Sequence, residues 1–164
     1  MNYNNSNVRR QDSLLDENSA CRILKDGEYG YLSMLKVDGT PYGIPISYVW
    51  NGENIIYLHC APEGTKLESI KQNPLVSFCV VGHTHVIPRQ FTTEYESIVL
   101  SCNASVGLDK QERKEALRLL ISKYAPDDVE LGMMCAAKSF HRTEVIRLVI
   151  QEWSGKSKTV HKSI

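Results

Sequence analysis

Residues 55–78 read Ile55-Ile56-Tyr57-Leu58-His59-Cys60-Ala61-Pro62-Glu63-Gly64-Thr65-Lys66-Leu67-Glu68-Ser69-Ile70-Lys71-Gln72-Asn73-Pro74-Leu75-Val76-Ser77-Phe78. An apolar run ends in a histidine and a cysteine, breaks over small residues and a proline, and resumes with Leu67 and Ile70 at helical spacing. The pattern predicts a strand over 55–60, a turn, a short helix over 66–72 closed by Asn73-Pro74, and a buried strand over 75–81. The helix start carries a hydroxyl, Thr65, and an ammonium, Lys66. With the free N–H groups of a helix N-terminus these can converge on one phosphate. An ordinary strand-to-helix connection with a solvated lysine is the alternative reading of the same residues.

Upstream, Asp38-Gly39 and Asn51-Gly52 are turn signals that separate strand candidates over 29–35, 42–50 and 55–60 as a meander. Pro41 and Pro45 cannot donate to a ladder, so the middle strand is expected at an edge, or bent where something other than backbone faces it. Asp16 is placed to cap a short helix whose Ala20, Ile23 and Leu24 share one face, with Leu15 stapling onto Ala20 and Gly27 expected as a left-handed stop.

Downstream, a long, bent strand is expected within 94–108. Asp109 with Glu112 reads as a capping box for a helix carrying Ala116, Leu117, Leu120, Ile121 and Tyr124, ended by Ala125-Pro126. A short helix over 127–138 and a last strand over 145–153, with Ile146, Leu148 and Ile150 on one face, complete the chain. Six strands joined mostly by short turns define a mainly β fold, an antiparallel barrel with peripheral helices. One domain is expected over 12–155, between a flexible polar N-terminus, 1–11, and a frayed Lys-rich tail, 156–164.

The composition narrows the function. With 19 Lys plus Arg against 19 Asp plus Glu in 164 residues, no net field exists to hold a nucleic acid or an anionic membrane. No apolar run approaches a membrane span and the Asn-rich start lacks a signal-peptide core, so a cytoplasmic protein is expected. Five scattered cysteines, Cys21, Cys60, Cys79, Cys102 and Cys135, form no C-x-x-C pair and argue against a disulfide framework or structural zinc. His83 and His85 point the same way on an extended segment, but no third ligand is near in sequence, and no metal site is expected. His59 and Cys60, as neighbours on a strand, point to opposite faces and cannot easily act as a pair.

In order and separation these segments resemble the flavin mononucleotide (FMN)-binding split-barrel superfamily that includes pyridoxamine 5′-phosphate oxidase. The resemblance runs through Gly30-Tyr31-Leu32-Ser33, Asp38-Gly39-Thr40-Pro41-Tyr42, Pro45-Ile46-Ser47-Tyr48, His59 to Phe78, and Lys138-Ser139-Phe140-His141-Arg142-Thr143. It is most similar to the branch of the 5-nitroimidazole resistance proteins. The resemblance implies a six-stranded antiparallel split barrel and a homodimer with FMN in clefts at the subunit interface. It implies that Gly64, Thr65 and Lys66 hold the FMN phosphate and that Pro45, Ile46 and Ser47 run along the isoalloxazine. His59 and Cys60 would line the ribityl and ring region, with His141 and Arg142 reaching across from the partner chain. The implied activity is FMN-dependent reduction of a small nitroaromatic molecule, with His59 as the catalytic residue. A non-catalytic flavin- or haem-binding protein is the rival reading.

The departures from the biosynthetic oxidase are specific. Ile44 stands where that enzyme has a phosphate-binding arginine, and Gly64-Thr65-Lys66 replaces its Ser-Arg-Lys grip. Ser139-Phe140-His141 replaces the substrate-binding Arg-x-His. Pyridoxamine phosphate oxidation is therefore not expected, and FAD or a deazaflavin stays open beside FMN.

Overall fold

The structure, a computed structural model, describes residues 1–160. Seven strands run β1 (Asn2–Tyr3), β2 (Tyr29–Leu35), β3 (Pro41–Trp50), β4 (Ile55–Cys60), β5 (Leu75–Ile87), β6 (Thr92–Ser105) and β7 (Glu144–Lys158). Four helices accompany them: α1 (Glu17–Asp26), α2 (Thr65–Gln72), α3 (Lys110–Tyr124) and α4 (Val129–Ser139). Strands β2 to β7 pair antiparallel in the order β7-β4-β3-β2-β5-β6, and β6 pairs again with β7. The ring of six closes, so the expected six-stranded barrel is present, with β1 added as a two-residue parallel pair on β7. Closure removes most of the free edge that an open sheet would present.

Alternation along the strands separates two apolar clusters. Leu32, Phe78, Val80, Ile98, Leu100, Ile146, Leu148, Ile150 and Trp153 fill the barrel with Ala20, Ile23 and Leu24 of α1 and Leu67 and Ile70 of α2. Each large side chain there contributes about 1.5–3 kcal/mol by leaving water. The opposite parity supplies a smaller cluster, Val49, Tyr57 and Val145 against Ala116, Leu117 and Leu120 of α3. Helix α3 therefore lies on the outer face of β3, β4 and β7, over the place where the barrel splits.

Several local expectations change. Residues 1–11 are anchored: Tyr3 packs edge-on against Trp153 with ring centroids 4.9 Å apart, and its hydroxyl donates to the Leu15 carbonyl. Part of the expected tail is strand, since Lys156 and Lys158 continue the β6–β7 ladder and the Val160 N–H donates to Glu94. Residues 161–164 of that tail lie outside the described residues. Asp16 caps α1 as expected, accepting from the Ser19 N–H at 2.9 Å. Gly27 is not left-handed, with φ −61°. Space requires it, because a Cβ there would fall 2.6 Å from Val80 and 2.7 Å from the Tyr48 hydroxyl. Asp109 caps α3, but Glu112 does not close a capping box. Its carboxylate instead accepts from Arg147 and from the Tyr57 hydroxyl, tying α3 to the sheet.

The two prolines of β3 mark its change of partner. From Pro41 to Ser47 the strand pairs with β2 alone; from Tyr48 to Trp50 it pairs with β4 alone. By order β3 is internal, yet each half has one free edge. Where β2 ends, α3 takes over the hydrogen bonding. The Tyr124 hydroxyl accepts from the Tyr48 N–H at 2.9 Å and donates to the Glu28 carbonyl. The Lys123 ammonium donates to the carbonyls of Gly27 at 2.6 Å and Tyr48 at 3.0 Å, and lies 3.8 Å from the centre of the Tyr48 ring. Burial pushes this ammonium down to about 8, which still leaves it mostly charged at neutral pH. Tyr124→Phe removes the acceptor for a buried N–H. It should cost about 1–3 kcal/mol and lower the melting temperature by several degrees, read by thermal denaturation. An unchanged melting temperature would show that the hydroxyl carries no such bond.

Candidate functional site

The split is a gap in the ladder. Strand β4 keeps β3 as partner only as far as Leu58; His59 and Cys60 pair on their other side with Val145 and Glu144 of β7. Strand β3 likewise offers Ile46 and Ser47 to β2 only. Between these two dipeptides lies a pair of facing backbone edges with no strand between them. Backbone N–H and C=O groups left so require a partner.

Parity decides which side chains meet. Ser47 and His59 face outward and line one cavity of about 400 Å³, walled by Leu117, Leu120, Ile121 and Tyr124 of α3 and by Gly132, Ala136 and Ser139 of α4, with Thr143 beside them. Ile46 and Cys60 turn the other way and pack against the barrel core. Pro45 is exposed beside Tyr31. The lining of the Ser47–His59 cavity carries hydroxyls and one imidazole but no carboxylate, lysine or arginine.

Charge states follow from these positions. Crowding by the cavity walls disfavours the imidazolium, so His59 titrates below the usual imidazole value and is neutral at pH 7. Burial pushes the Cys60 thiol up, against the opposing pull of the Lys66 ammonium. Cys60 is thus a protonated thiol near Lys66, and geometry and charge state both set it apart from His59 as a nucleophile. Lys66 is half-buried and ion-pairs with no acid among the described residues.

Gly64 caps α2 at φ +122°, a conformation that a side chain would strain, and no side-chain oxygen caps the helix. The N–H groups of Thr65 and Lys66 have no acceptor among the described residues, because the chain turns back only from Leu67 onward. Two free N–H groups, a hydroxyl and an ammonium thus sit together at the end of the split.

The remaining sequence candidates separate from this cluster. His141 and Arg142 lie on a single 3-10 turn, Phe140–Arg142, and are exposed, while their neighbours Ser139 and Thr143 line the cavity. Arg113 holds that turn, stacking 4.3 Å from the Phe140 ring and donating to the carbonyls of Phe140 and Thr143. On the far part of the β5–β6 hairpin, His83 lies in the bulge between Val81 and Thr84 and His85 just past it, where His85 approaches Glu94 at 3.2 Å. Among the described residues no three His, Cys, Asp or Glu side chains are grouped to hold a metal ion, and no helix is long and apolar enough to cross a membrane. Sequence reasoning missed the α3 and α4 walls. The α3 positions carry an ordinary apolar helical stripe, and α4 has no buried residue to signal its packing.

The family profile described as pyridoxamine 5′-phosphate oxidase matches residues 16–157. The chain belongs to the pyridoxamine 5′-phosphate oxidase-like family. No curated protein matches it. Among solved structures, the chain is similar to a protein of Bacteroides thetaiotaomicron assigned provisionally to 5-nitroimidazole antibiotic resistance, at TM-score 0.71 and 18% identity over 88% of this chain and 86% of that one. It is similar to an FAD-binding protein of Mesorhizobium loti at TM-score 0.64 and 22% identity, over 88% and 96% of the two chains. A flavocytochrome of Azotobacter vinelandii gives TM-score 0.73 and 21% identity over 88% and 68%. At these identities the likeness establishes the fold alone, a split barrel.

The desolvation of His59 has a measurable sign. Its folded-state pKa lies below the unfolded value of about 6.5, so the unfolded chain binds the extra proton and stability falls as pH drops through that value. The His59 ring should titrate below 6.5 by NMR, and His59→Gln should lose part of the acid destabilisation. A midpoint at or above 6.5 would show that the cavity does not desolvate the ring.

Proposed function

We propose that this protein is a flavin-dependent oxidoreductase that binds FMN in the split between β3 and β4 and reduces a small nitroaromatic molecule of the 5-nitroimidazole kind. The observation that carries this reading is the pair of unpartnered edges at Ile46–Ser47 and His59–Cys60, which end at an uncapped helix start bearing Thr65 and Lys66. The residues fit an FMN. The free N–H groups at Thr65 and Lys66, the Thr65 hydroxyl and the Lys66 ammonium hold the phosphate. Ile46 and Cys60 offer apolar surface, and the open edge from Pro45 to Ser47 offers backbone groups to the polar rim of the ring. FMN supplies the hydride chemistry when bound.

His59 serves the substrate. Neutral at pH 7, it presents one ring N–H as a hydrogen-bond donor without adding positive charge, in an open cavity whose α3 and α4 walls are mostly apolar. Ile44 and Ser139, standing where the biosynthetic oxidase has arginines, leave no such cation for a substrate phosphate, which supports a phosphate-free substrate.

The same reading includes a homodimer with the flavin shared at its interface. Among the described residues no helix packs on the outer face of β2, β5 and β6, since α1 and α2 join the barrel core and α3 covers β3, β4 and β7. One register row around the barrel, Pro45, Tyr31, Cys79, Val99 and Ser154, carries no charge. Tyr29, Tyr31, Val81 and Val99 are 62, 48, 60 and 43% exposed. A patch of this kind beside the split suits a permanent interface, and it would bring the partner's His141 and Arg142 toward the flavin.

Two experiments test the proposal. Lys66→Ala should weaken FMN binding tenfold or more, because a charge-assisted contact contributes about 1.5–3 kcal/mol, while leaving riboflavin binding unchanged. Equal loss for both ligands would make Lys66 structural. In the second, the protein is loaded with FMN, reduced without oxygen and mixed with a nitroimidazole, and the return of oxidised flavin absorbance is followed. The wild type should reoxidise and His59→Gln should do so much more slowly with flavin retained, in a sample whose light scattering gives twice the chain mass of 18.6 kDa. No substrate-dependent reoxidation would favour a flavin- or haem-binding protein without catalysis, and a monomer would remove the shared cleft.

A further inference from the structure

A second cavity, of about 410 Å³, opens between the first turns of α3 and the last turns of α4. Its walls are Leu117, Met133, Ala136, Ala137 and Phe140, and its only charged lining residues are Lys110 and Lys114. Leu117 and Ala136 also line the Ser47–His59 cavity, so the two share a wall, but none of the residues expected to hold a flavin reaches the second one.

The ion pairs of α3 single out these lysines. Glu112 is taken by Arg147 at 3.1 Å, Glu115 by Arg118 at 2.5 Å, and Arg113 by Glu144 at 3.8 Å and by the carbonyls of Phe140 and Thr143. Lys123 is spent on the carbonyls of Gly27 and Tyr48. Among the described residues, Lys110 and Lys114 alone of the α3 cations have neither an acid nor a hydrogen-bond acceptor. They stand at i and i+4, a like-charge spacing that costs helix stability when nothing negative lies between.

Two cations above an apolar floor define the complementary ligand. The structure assigns this cavity as a binding site for a small amphipathic anion, a free carboxylate on an aliphatic or aromatic body. The carboxylate lies between the Lys110 and Lys114 ammonium groups, and the apolar body rests on Leu117, Met133 and Phe140. Met133, unbranched and polarisable, lets the wall follow bodies of different shape. The assignment is independent of the flavin reading, since no flavin contact enters it.

The test uses the full chain with its cofactor content unchanged. Anilinonaphthalenesulfonate, a fluorescent amphipathic anion, should bind with one site per chain beneath α4. Decanoate below its micelle concentration should displace it, and decanol should not. The double variant Lys110→Gln, Lys114→Gln should raise the dissociation constants of the dye and of decanoate tenfold or more. Ala137→Trp, which fills the cavity from α4, should abolish binding, with circular dichroism and flavin absorbance as in the wild type. Lys71→Gln, on α2, should change nothing. The assignment is overturned if decanol competes as well as decanoate, if the lysine variants bind as the wild type does, or if the dye survives Ala137→Trp. It is equally overturned if the protein sediments with phosphatidylglycerol vesicles while decanoate fails to displace the dye, since the anion would then belong to a lipid surface.

Discussion

The change of partner along β3 is the constraint from which the rest of the molecule follows. A six-stranded ring has to close, and here β3 pairs with β2 below Tyr48 and with β4 above it, never with both at one residue. Each half-strand is left with one open edge, and the two edges meet opposite fates. On the β2 side the Tyr48 N–H and C=O would be orphaned where β2 ends, and the Tyr124 hydroxyl and Lys123 ammonium replace the missing strand. On the β4 side nothing among the described residues replaces it, and the groups at Ile46–Ser47 and His59–Cys60 stay available. The fold thus uses one helix end to seal one gap and keeps the other open.

The position of α3 joins these two outcomes. Its C-terminal turn satisfies Tyr48, its middle packs Leu117 and Leu120 on Val49 and Val145, and its N-terminal turn is fixed through Glu112 to Arg147 and Tyr57. The same helix therefore walls the cavity that holds His59 and sets the charge pattern left over at Lys110 and Lys114. Helix α4 has no such anchoring, with no buried residue of its own, and the cavities on its two sides are the consequence of a helix that leans on α3 and not on the sheet.

The amino-acid sequence by itself determined a good deal. Alternation and turn chemistry marked β2, β3 and β4 to within a residue, because Asp38-Gly39 and Asn51-Gly52 leave the backbone few alternatives, and found the starts of β5 and β7, whose ends run on to Ile87 and Lys158, while β6 begins at Thr92, before the expected span. The separation of His59 from Cys60 was legible as well, since neighbours on a strand must face opposite ways. So was the concentration of hydrogen-bond donors at Thr65 and Lys66 behind Gly64, a local property of one helix start. Pro41 and Pro45 announced an irregular edge before any partner was known.

Only the tertiary structure decided where that edge opens and what covers it. The β3 register against β2 and β4, the closure of β6 on β7, and the anchoring of residues 1–11 by Trp153 are contacts between segments far apart in the chain, and no local pattern encodes their offset. Gly27 shows the limit at one residue: its place after a helix suggests a left-handed stop, whereas the approach of Val80 and Tyr48 is what demands the missing side chain. The same holds for the α3 and α4 walls of the His59 cavity and for the two lysines of α3 that keep no partner. A helical stripe says which side chains leave water, but the neighbour they meet, and the charges left without one, are set by three-dimensional packing alone.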